Sequence, residues 1–422
     1  MTLLIHASQL LTLAGGPRRG KSMTDLATIE DGAVLYRDGL ILGYGTTDEL
    51  RGKYPDEPIL NALEQVVLPG FVDPHTHLLW AGDRAAEFDM RLQGKSYLEI
   101  QAAGGGIVST VRQTRKALAE NNLFIETRSR AERMFAHGTT TCEVKTGYGL
   151  DTVSELQMLQ QIMALNGELA IDLVPTFMPA HAIPTEYSGN ADGYLRLIIK
   201  EMLPLLEEKI GHGNEFPSST RDVFIDIFCE EGAFTRDQSK RLFEAAKKAG
   251  FPLKIHADEF VNLGGSRLAV EMKAASADHL MHTSDEEIAL FGQSNTTAVA
   301  LPCTTFGLAE KQYMPARKFI DANAIVALAT DCNPGTAWNE SMQFVIALAC
   351  RFMKLTVAEA ISAATINAAA AIQREDTIGS IEPGKKADML ILAAADYRHL
   401  GYRFGTNLVQ TVIKNGKEYP AT

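Results

Sequence analysis

Short hydrophobic runs alternate with amphipathic segments through the middle of the chain. The first run leads into "FVDPHTHLLWAG" (residues 71–82), and seven more follow, rich in apolar and β-branched residues. These seven span residues 139–146, 171–180, 223–231, 252–259, 276–280, 297–304 and 324–332. Between the runs lie stretches with helical spacing, such as 122–138 and 239–250, each ending at a glycine, as helices commonly do.

Runs of this kind are typical of parallel strands that are covered on both faces. Eight of them, joined by helical crossovers, predict an α/β fold with a (β/α)8, TIM-like barrel. A doubly wound open sheet is the structural alternative. No G-x-G-x-x-G sequence follows a strand here, which weakens that alternative.

The two ends of the chain have a different pattern. Short alternating strands are predicted in residues 2–8, 32–45 and 57–70, and again in 387–396 and 408–419. Asp38-Gly39 and Asn415-Gly416 are typical hairpin turns. We therefore expect a small β-sandwich domain built from residues 1–68 and 380–422, with the catalytic barrel in 69–379.

Composition excludes some classes of protein. The net charge of −12 disfavours nucleic acid as a partner, because a phosphate-binding surface needs positive charge. No apolar run approaches the roughly 18 residues of a membrane span. The five scattered cysteines predict reduced thiols in a cytoplasmic protein rather than a disulfide framework.

One glycine-rich stretch, residues 102–112, suggests two structures. A phosphate-binding loop would need a following Lys-Ser or Lys-Thr pair, which is missing. A flexible loop that enters a helix fits better. Because the stretch lies close to the first barrel strand in sequence, it is a candidate active-site lid.

Histidines and a carboxylate follow four of the predicted strands. His75 and His77 share one face of an extended segment, since side chains at i and i+2 point the same way. His256 closes a later strand, His279 closes the strand after that, and Asp331 ends an apolar one, which makes four strand ends. Each alone could be a hydrogen-bonded core histidine or a helix-capping aspartate. Because active sites of such barrels lie at the C-terminal strand ends, the four together predict a metal centre.

Imidazole nitrogens with a carboxylate oxygen suit zinc or iron. Such a cation would lower the pKa of a bound water toward neutrality. Glu259 and His279 lie at the ends of two successive predicted strands, which would put them near the metal, and they are candidates for proton transfer. The fourth strand lacks a lysine that could bridge two metals, and Lys145 is only a loose candidate. We expect one metal ion per chain.

Several motifs resemble those of known enzymes. "PGFVDPHTHLLWAG", "HADE", "ATDCNPGT" and "PGKKADMLIL" resemble the metal-dependent amidohydrolase superfamily. "FDMRLQGKSYLEIQAAGGGIVSTVRQTR", "VKTGYGLD", "FMPAHAIP" and "LPCTTFGL" are similar to sequences of the imidazolonepropionase family within it. That family opens the ring of 4-imidazolone-5-propanoate to give N-formimidoyl-L-glutamate in histidine degradation. The similarity runs from about residue 65 to the C-terminus.

The resemblance implies a role for individual residues. One zinc or iron ion would be held by His75, His77, His256 and Asp331, and the catalytic residues would be Glu259, His279 and Asp331. Contacts to the substrate would come from Arg84, Tyr97, Tyr148, His181, Glu259, Asn333, Gly335 and Thr336. The resemblance also implies a homodimer.

Other interpretations of these residues stay open at this point. Arg84 could be a surface arginine paired with Asp83 or Glu87, and Asn333 and Thr336 could be turn residues around Pro334-Gly335. Tyr148 and His181 could be packed loop side chains. The whole protein could instead be a purine or pyrimidine deaminase, or a catalytically silent interaction protein on the same barrel.

Overall fold

The computed structural model describes residues 1–95, 99, 105–120, 122–213 and 215–421. Within these residues the strands, numbered β1 to β16 in chain order, are Thr2–Leu11, Thr28–Arg37, Leu40–Thr46, Ile59–Asn61, Val67–Pro69, Phe71–Asp73, Thr139–Lys145, Asp172–Ala180, Phe224–Cys229, Lys254–Ala257, Ser276–His279, Thr297–Ala300, Val326–Leu328, Met389–Leu392, Val409–Lys414 and Lys417–Pro420.

The α-helices lie between the barrel strands and around the terminal strands. In the described residues they span Thr47–Lys53, Ala85–Leu92, Ile107–Ala119, Leu123–Ala136, Thr152–Glu168, Ala191–Leu197, Leu203–Lys209, Arg236–Lys248, Gly265–Met272, Asp285–Phe291, Pro302–Gly307, Ala316–Asp321, Met342–Phe352, Val357–Ala363, Ile366–Ala371 and His399–Tyr402. A π-helical segment, Ile198–Met202, joins two of them. None of these described helices is long and apolar enough to cross a membrane.

Strands β6 to β13 form the predicted barrel. They pair in parallel in chain order, and every predicted apolar run of the middle region contributes one strand. The first and last strands meet through a parallel bridge between Thr76 and Cys332. The Asp331 N–H donates to the His75 carbonyl at 3.1 Å, and the His77 N–H donates to the Cys332 carbonyl at 3.0 Å. The sheet therefore closes on itself, which excludes the open-sheet alternative.

Strands from both chain ends form a separate mixed sheet, as expected. Its order is β16-β15-β14-β5-β1-β2-β3, and β4 pairs with β1. Both predicted hairpin turns have left-handed backbone, with φ of 51° and 82° at Asp38-Gly39 and 48° and 74° at Asn415-Gly416. These values match the turn type that suits the twist of a hairpin. The residue limits of the two domains stay a prediction.

The barrel interior has an apolar layer below a charged one. Val72, Val174, Phe224 and Val299 come from four different strands, yet they belong to one buried cluster, together with residues of the helix Ile366–Ala371. They therefore fill the N-terminal end of the barrel. Because side chains alternate along a strand, Asp226 lies on the same face as Phe224, one layer nearer the C-terminal end. The candidate site is built on this upper layer.

Candidate active site

His75 and His77 lie just beyond the end of β6. The sequence interpretation carried the strand through both histidines, whereas β6 ends at Asp73. The bridge between Thr76 and Cys332 keeps the segment extended between the two histidines. Both side chains are buried, and Nε2 of His77 lies 3.1 Å from Nε2 of His256. The i, i+2 spacing therefore brings them together as expected.

Three non-glycine residues at strand ends have left-handed backbone. The values of φ are 55° at Asp258, 79° at His279 and 54° at Asp331. This conformation is uncommon for residues with a side chain and persists where the surrounding structure enforces it, often at functional sites. At Asp331 the enforcing contact is the N–H bond to the His75 carbonyl. Local backbone strain thus coincides with the ends of three barrel strands.

The four predicted metal ligands converge. His75, His77 and His256 each offer one nitrogen, all within 4.8 Å of one another, and a second group of the same size joins His75, His279 and Asp331. Oδ1 of Asp331 lies 3.4 Å from Nε2 of His75 and 3.7 Å from Nε2 of His77. The other Asp331 oxygen accepts a hydrogen bond from the Thr304 hydroxyl at 2.5 Å. This oxygen is thereby held in one orientation.

The donor atoms fit a metal ion. Within the described residues, Nε2 of His75 is buried and has no hydrogen-bond partner, which is what a nitrogen reserved for a metal would show. Nitrogen and carboxylate donors of this number are typical of zinc or iron sites. His279 is close enough either to join the ligands or to lie beside a bound water.

Two buried aspartates hold the histidine rings. Oδ2 of Asp278 accepts a hydrogen bond from Nδ1 of His75 at 2.6 Å. Oδ1 of Asp226 lies 3.1 Å from Nδ1 of His256. A ring that donates its Nδ1 proton keeps the Nε2 lone pair for a metal, so each aspartate fixes both the orientation and the tautomer. The sequence interpretation did not identify these partners.

Burial sets the protonation of the site. Burial, reinforced by Lys145 and the neighbouring imidazoles, holds the pKa of His75 well below its usual value, and burial with His181 does the same to the pKa of His77. The two rings are therefore neutral, as metal ligation requires. Burial raises the pKa of Asp331 to about 6, a shift that a bound cation would oppose.

Glu259 lies just after β10, next to His279. Its Oε2 is 3.7 Å from Nε2 of His279, and both side chains are buried. Burial, followed by the nearby charges of Asp331 and Glu230, raises the pKa of Glu259 well above its usual value. A carboxyl group with a raised pKa can both take up and return a proton near neutral pH.

Arg84 begins the helix Ala85–Leu92 at the rim of the barrel. Its Nε donates to Oε2 of Glu87 at 2.7 Å, the pairing that the alternative interpretation named. The side chain is nevertheless only 17% exposed. It packs against the loop after β13, because a Cβ built on Gly335 would lie 2.4 Å from Nη1 of Arg84. The guanidinium is therefore both ion-paired and at the site.

Tyr148 and His181 pack beside the metal ligands. The His181 ring stacks on His77 with centroids 4.5 Å apart, and the Tyr148 ring lies 5.9 Å from His77. Nδ1 of His181 is 3.0 Å from the Gly147 carbonyl. The structure thus places both rings against the candidate ligands, where they could line a substrate pocket.

The loop after β13 is held by its own asparagine. Oδ1 of Asn333 accepts the N–H groups of Gly335 and Thr336 at 2.8 and 2.9 Å, and Nδ2 donates to the Asp331 carbonyl. These bonds are typical of a turn. Asn333 therefore has the role of a turn residue, which was one of the alternatives that the sequence left open. Tyr97, the remaining candidate, lies outside the described residues, as do residues 102–104 of the glycine-rich stretch.

Sequence reasoning missed a set of charged residues inside the barrel strands. They are Glu143, Asp226, Lys254 and Asp278; the equally buried Lys145 was considered, but only as a loose metal-bridging candidate. The available signal was a charged residue in the middle of an apolar strand, which is costly unless it is paired. "TTTCEVKT", "VFIDIFCEE" and "SADHL" each carry that signal.

Fold and site together define a barrel hydrolase of the amidohydrolase type. The model of the amidohydrolase family matches residues 66–419, and the chain therefore belongs to the amidohydrolase family. Curated relatives refine this assignment. The chain is 48% identical over 419 residues to an imidazolonepropionase of Herpetosiphon aurantiacus, covering 98% of this chain and 97% of the relative. It is 44% identical over 418 residues to one of Symbiobacterium thermophilum, covering 98% and 96%. Within the larger family it thus groups with the imidazolonepropionases.

Solved structures share the fold at low sequence identity. A 5-methylcytosine deaminase from Klebsiella pneumoniae has a TM-score of 0.72 at 16% identity, covering 99% of this chain and 97% of that one. An adenosine deaminase from Xanthomonas campestris with bound zinc has a TM-score of 0.66 at 18% identity, covering 99% and 92%. Similarity at this level supports the architecture alone.

Proposed function

We propose that this chain hydrolyses 4-imidazolone-5-propanoate to N-formimidoyl-L-glutamate. The observation that carries the proposal is the convergence of His75, His77, His256 and Asp331 at the C-terminal rim of the barrel. The curated relatives named imidazolonepropionase, similar over nearly the whole chain, supply the substrate. One zinc or iron ion, held by these four residues, would supply Lewis acidity and lower the pKa of a bound water.

The chain's own residues then handle the protons of a ring opening. A water oxygen bonds to the ring carbonyl carbon while Glu259 takes one proton from that water. His279, which is neutral because burial holds its pKa well below the usual value, donates an N–H to the oxygen that becomes negative. The carbon–nitrogen bond of the ring then breaks, and the departing nitrogen receives the proton that Glu259 holds. No further reactant is consumed.

Arg84 binds the propanoate arm in this proposal. A guanidinium presents a fork of N–H groups that fits a carboxylate. The bond from Nε to Glu87 orients this fork, and among the described residues neither terminal nitrogen donates a hydrogen bond, so both could meet the substrate. Tyr148, His181 and the loop of Asn333, Gly335 and Thr336 surround the ring, and Tyr97 completes the set by resemblance.

The oligomeric state and the location of the protein belong to the same proposal. By resemblance to the imidazolonepropionase family we propose that the protein is a homodimer. We also propose a cytoplasmic location, which is supported by five cysteines that are all free thiols in the structure.

The test is the decay of imidazolonepropanoate absorbance with purified protein, with and without a chelator. We expect turnover that is lost on chelation and restored by zinc or iron. Release of ammonia from guanine or cytosine, without turnover of imidazolonepropanoate, would instead select the deaminase function. Failure to bind any divalent metal would contradict both and favour a non-enzymatic role.

A further inference from the structure

Five charged side chains lie directly below the candidate metal ligands. Three are carboxylates and two are lysines, and they come from the four barrel strands β7, β9, β10 and β11: Glu143, Lys145, Asp226, Lys254 and Asp278. Interiors of such barrels are usually filled by branched apolar side chains. A fully buried charged layer therefore calls for a specific reason.

Lys145 is the centre of this layer. Its Nζ lies 2.7 Å from Oε1 of Glu143, 2.7 Å from Oδ2 of Asp226 and 3.9 Å from Oδ2 of Asp278. Asp226 uses its other oxygen, Oδ1, for Nδ1 of His256. A continuous chain of contacts thus runs from Lys145 through Asp226 to a candidate metal ligand.

The second lysine has a different role. Nζ of Lys254 donates to the Pro74 carbonyl at 2.8 Å and lies 3.6 Å from both Glu143 and Asp278. Its hydrogen bond supports the backbone just before His75, and it lies beside Asp278, which holds the His75 ring, without donating a hydrogen bond to it. Lys145, by contrast, donates a hydrogen bond directly to Asp226, a carboxylate that holds a ligand ring.

Charge balance points the same way. Three carboxylates and two ammonium groups leave the layer with one negative charge, and Asp331 adds a second. A single dication would offset these two charges, whereas loss of Lys145 would leave one carboxylate charge without a partner. An unpaired buried carboxylate is costly, so Asp226 would move or change its bonds.

We propose that Lys145 is a positioning residue for metal binding, which acts by holding Asp226 so that Asp226 fixes the ring of His256. This inference rests on the metal-binding part of the proposed function. It assigns Lys145 neither to the bridging of two metals nor to contact with the substrate. It concerns affinity for the cation, which can be measured without any substrate.

The experiment compares full-length Lys145→Met with a matched control. Lys414→Met removes another buried lysine, which contacts Asp388 at 2.7 Å and Asp172 at 2.8 Å in the strand β15 of the terminal sheet. Both variants lose a buried ion pair, so both should melt at lower temperature than the wild type. Zinc affinity of the metal-free proteins is measured by competition with a chromophoric chelator, and the Co²⁺-substituted proteins are compared by visible absorption.

We expect Lys145→Met to weaken zinc binding by about 10- to 100-fold, the usual effect of losing a residue that supports a metal ligand. Its Co²⁺ spectrum should differ from the wild type, while Lys414→Met should match the wild type in both measurements. Zinc affinity of Lys145→Met equal to the wild type would overturn the inference. An equal loss in Lys414→Met would also overturn it, because the effect would then be a general loss of stability.

A second variant covers the case in which Lys145→Met does not fold. Asp226→Asn keeps an oxygen that can accept from Nδ1 of His256 but loses the charge that Lys145 holds. We expect zinc binding weakened by about tenfold or more. Wild-type zinc affinity in this variant would overturn the inference. Wild-type protein that binds no divalent metal would instead contradict the proposed function itself.

Discussion

The loop that carries Tyr148 is held by one buried carboxylate, Glu155. Its Oε1 accepts the N–H groups of Gly149 and Leu150 at 2.8 and 2.7 Å, and both of its oxygens accept the N–H of Gly147 at 3.0 to 3.1 Å. Replacement of Glu155 by leucine would leave three buried donors without their acceptor.

The loss of stability in Glu155→Leu can be worked out from these contacts. A buried donor left without a partner costs about 1–3 kcal/mol. Three such donors give an upper limit of about 9 kcal/mol, and we expect about 3–5 kcal/mol because the loop can turn part of its backbone toward water. That is a large share of a typical stability of about 5–15 kcal/mol. Glu155→Gln keeps one accepting oxygen and should lose only about 1–2 kcal/mol.

Urea denaturation measures the stability, and turnover of imidazolonepropanoate measures the site. We expect Glu155→Leu to raise KM at least tenfold, about 1.4 kcal/mol of binding, with a smaller change in kcat. Glu359→Gln is the control, because Glu359 accepts the Thr356 N–H at 2.7 Å in the capping box of the helix Val357–Ala363 and also pairs with Arg317, away from the site. It should lower stability and leave KM unchanged. Unchanged stability and KM in Glu155→Leu would refute the reasoning.

Three further predictions follow from the same structure. Glu259→Gln should lower kcat by about 10²- to 10⁴-fold with little change in KM, because it removes the proton acceptor; a kcat near the wild type would contradict its role. Arg84→Ala should raise KM about tenfold or more while leaving kcat similar. The KM of Arg84→Lys should lie between those of the wild type and Arg84→Ala. An unchanged KM in Arg84→Ala would show that the propanoate binds elsewhere. Acid should weaken the terminal sheet through Asp172: burial raises its pKa, but Lys414 and Lys386 outweigh burial and hold the pKa below the usual value. Its stabilising effect is present above the unfolded pKa and is lost as the pH falls through the folded pKa. The free energy of unfolding, measured from pH 7 to pH 2, should therefore fall less steeply in Asp172→Asn than in the wild type. An identical pH dependence in the two proteins would contradict this.

Several features could be predicted from local sequence because they depend on local geometry. The eight apolar runs fixed the number and order of barrel strands, and Asp38-Gly39 marked a hairpin turn. The i, i+2 spacing of His75 and His77 put both side chains on one face wherever the backbone is extended. Since parallel strands end at one rim, His256 and Asp331 could be expected to join them.

Other features depend on residues far apart in the chain. The bond from Asp278 to His75 spans 203 residues, and the one from Asp226 to His256 joins two different strands. No periodicity predicts which buried carboxylate meets which ring, because the register and tilt of the closed barrel decide it. The contact of Arg84 with Gly335 likewise depends on the tertiary structure, whereas the pairing of Arg84 with Glu87 was one of the alternatives named from the sequence.

The sequence by itself therefore determined which side chains reach the rim of the barrel. Only the tertiary structure decided their protonation, their ring orientation and the buried charges beneath them. The physical reason is that spacing along a strand sets direction, whereas burial and long-range pairing depend on what the other strands bring to the same point. Lys145 illustrates the difference: its sequence position suggested a loose metal-bridging candidate, and its contacts place it below a ligand, bound to Asp226 and Glu143.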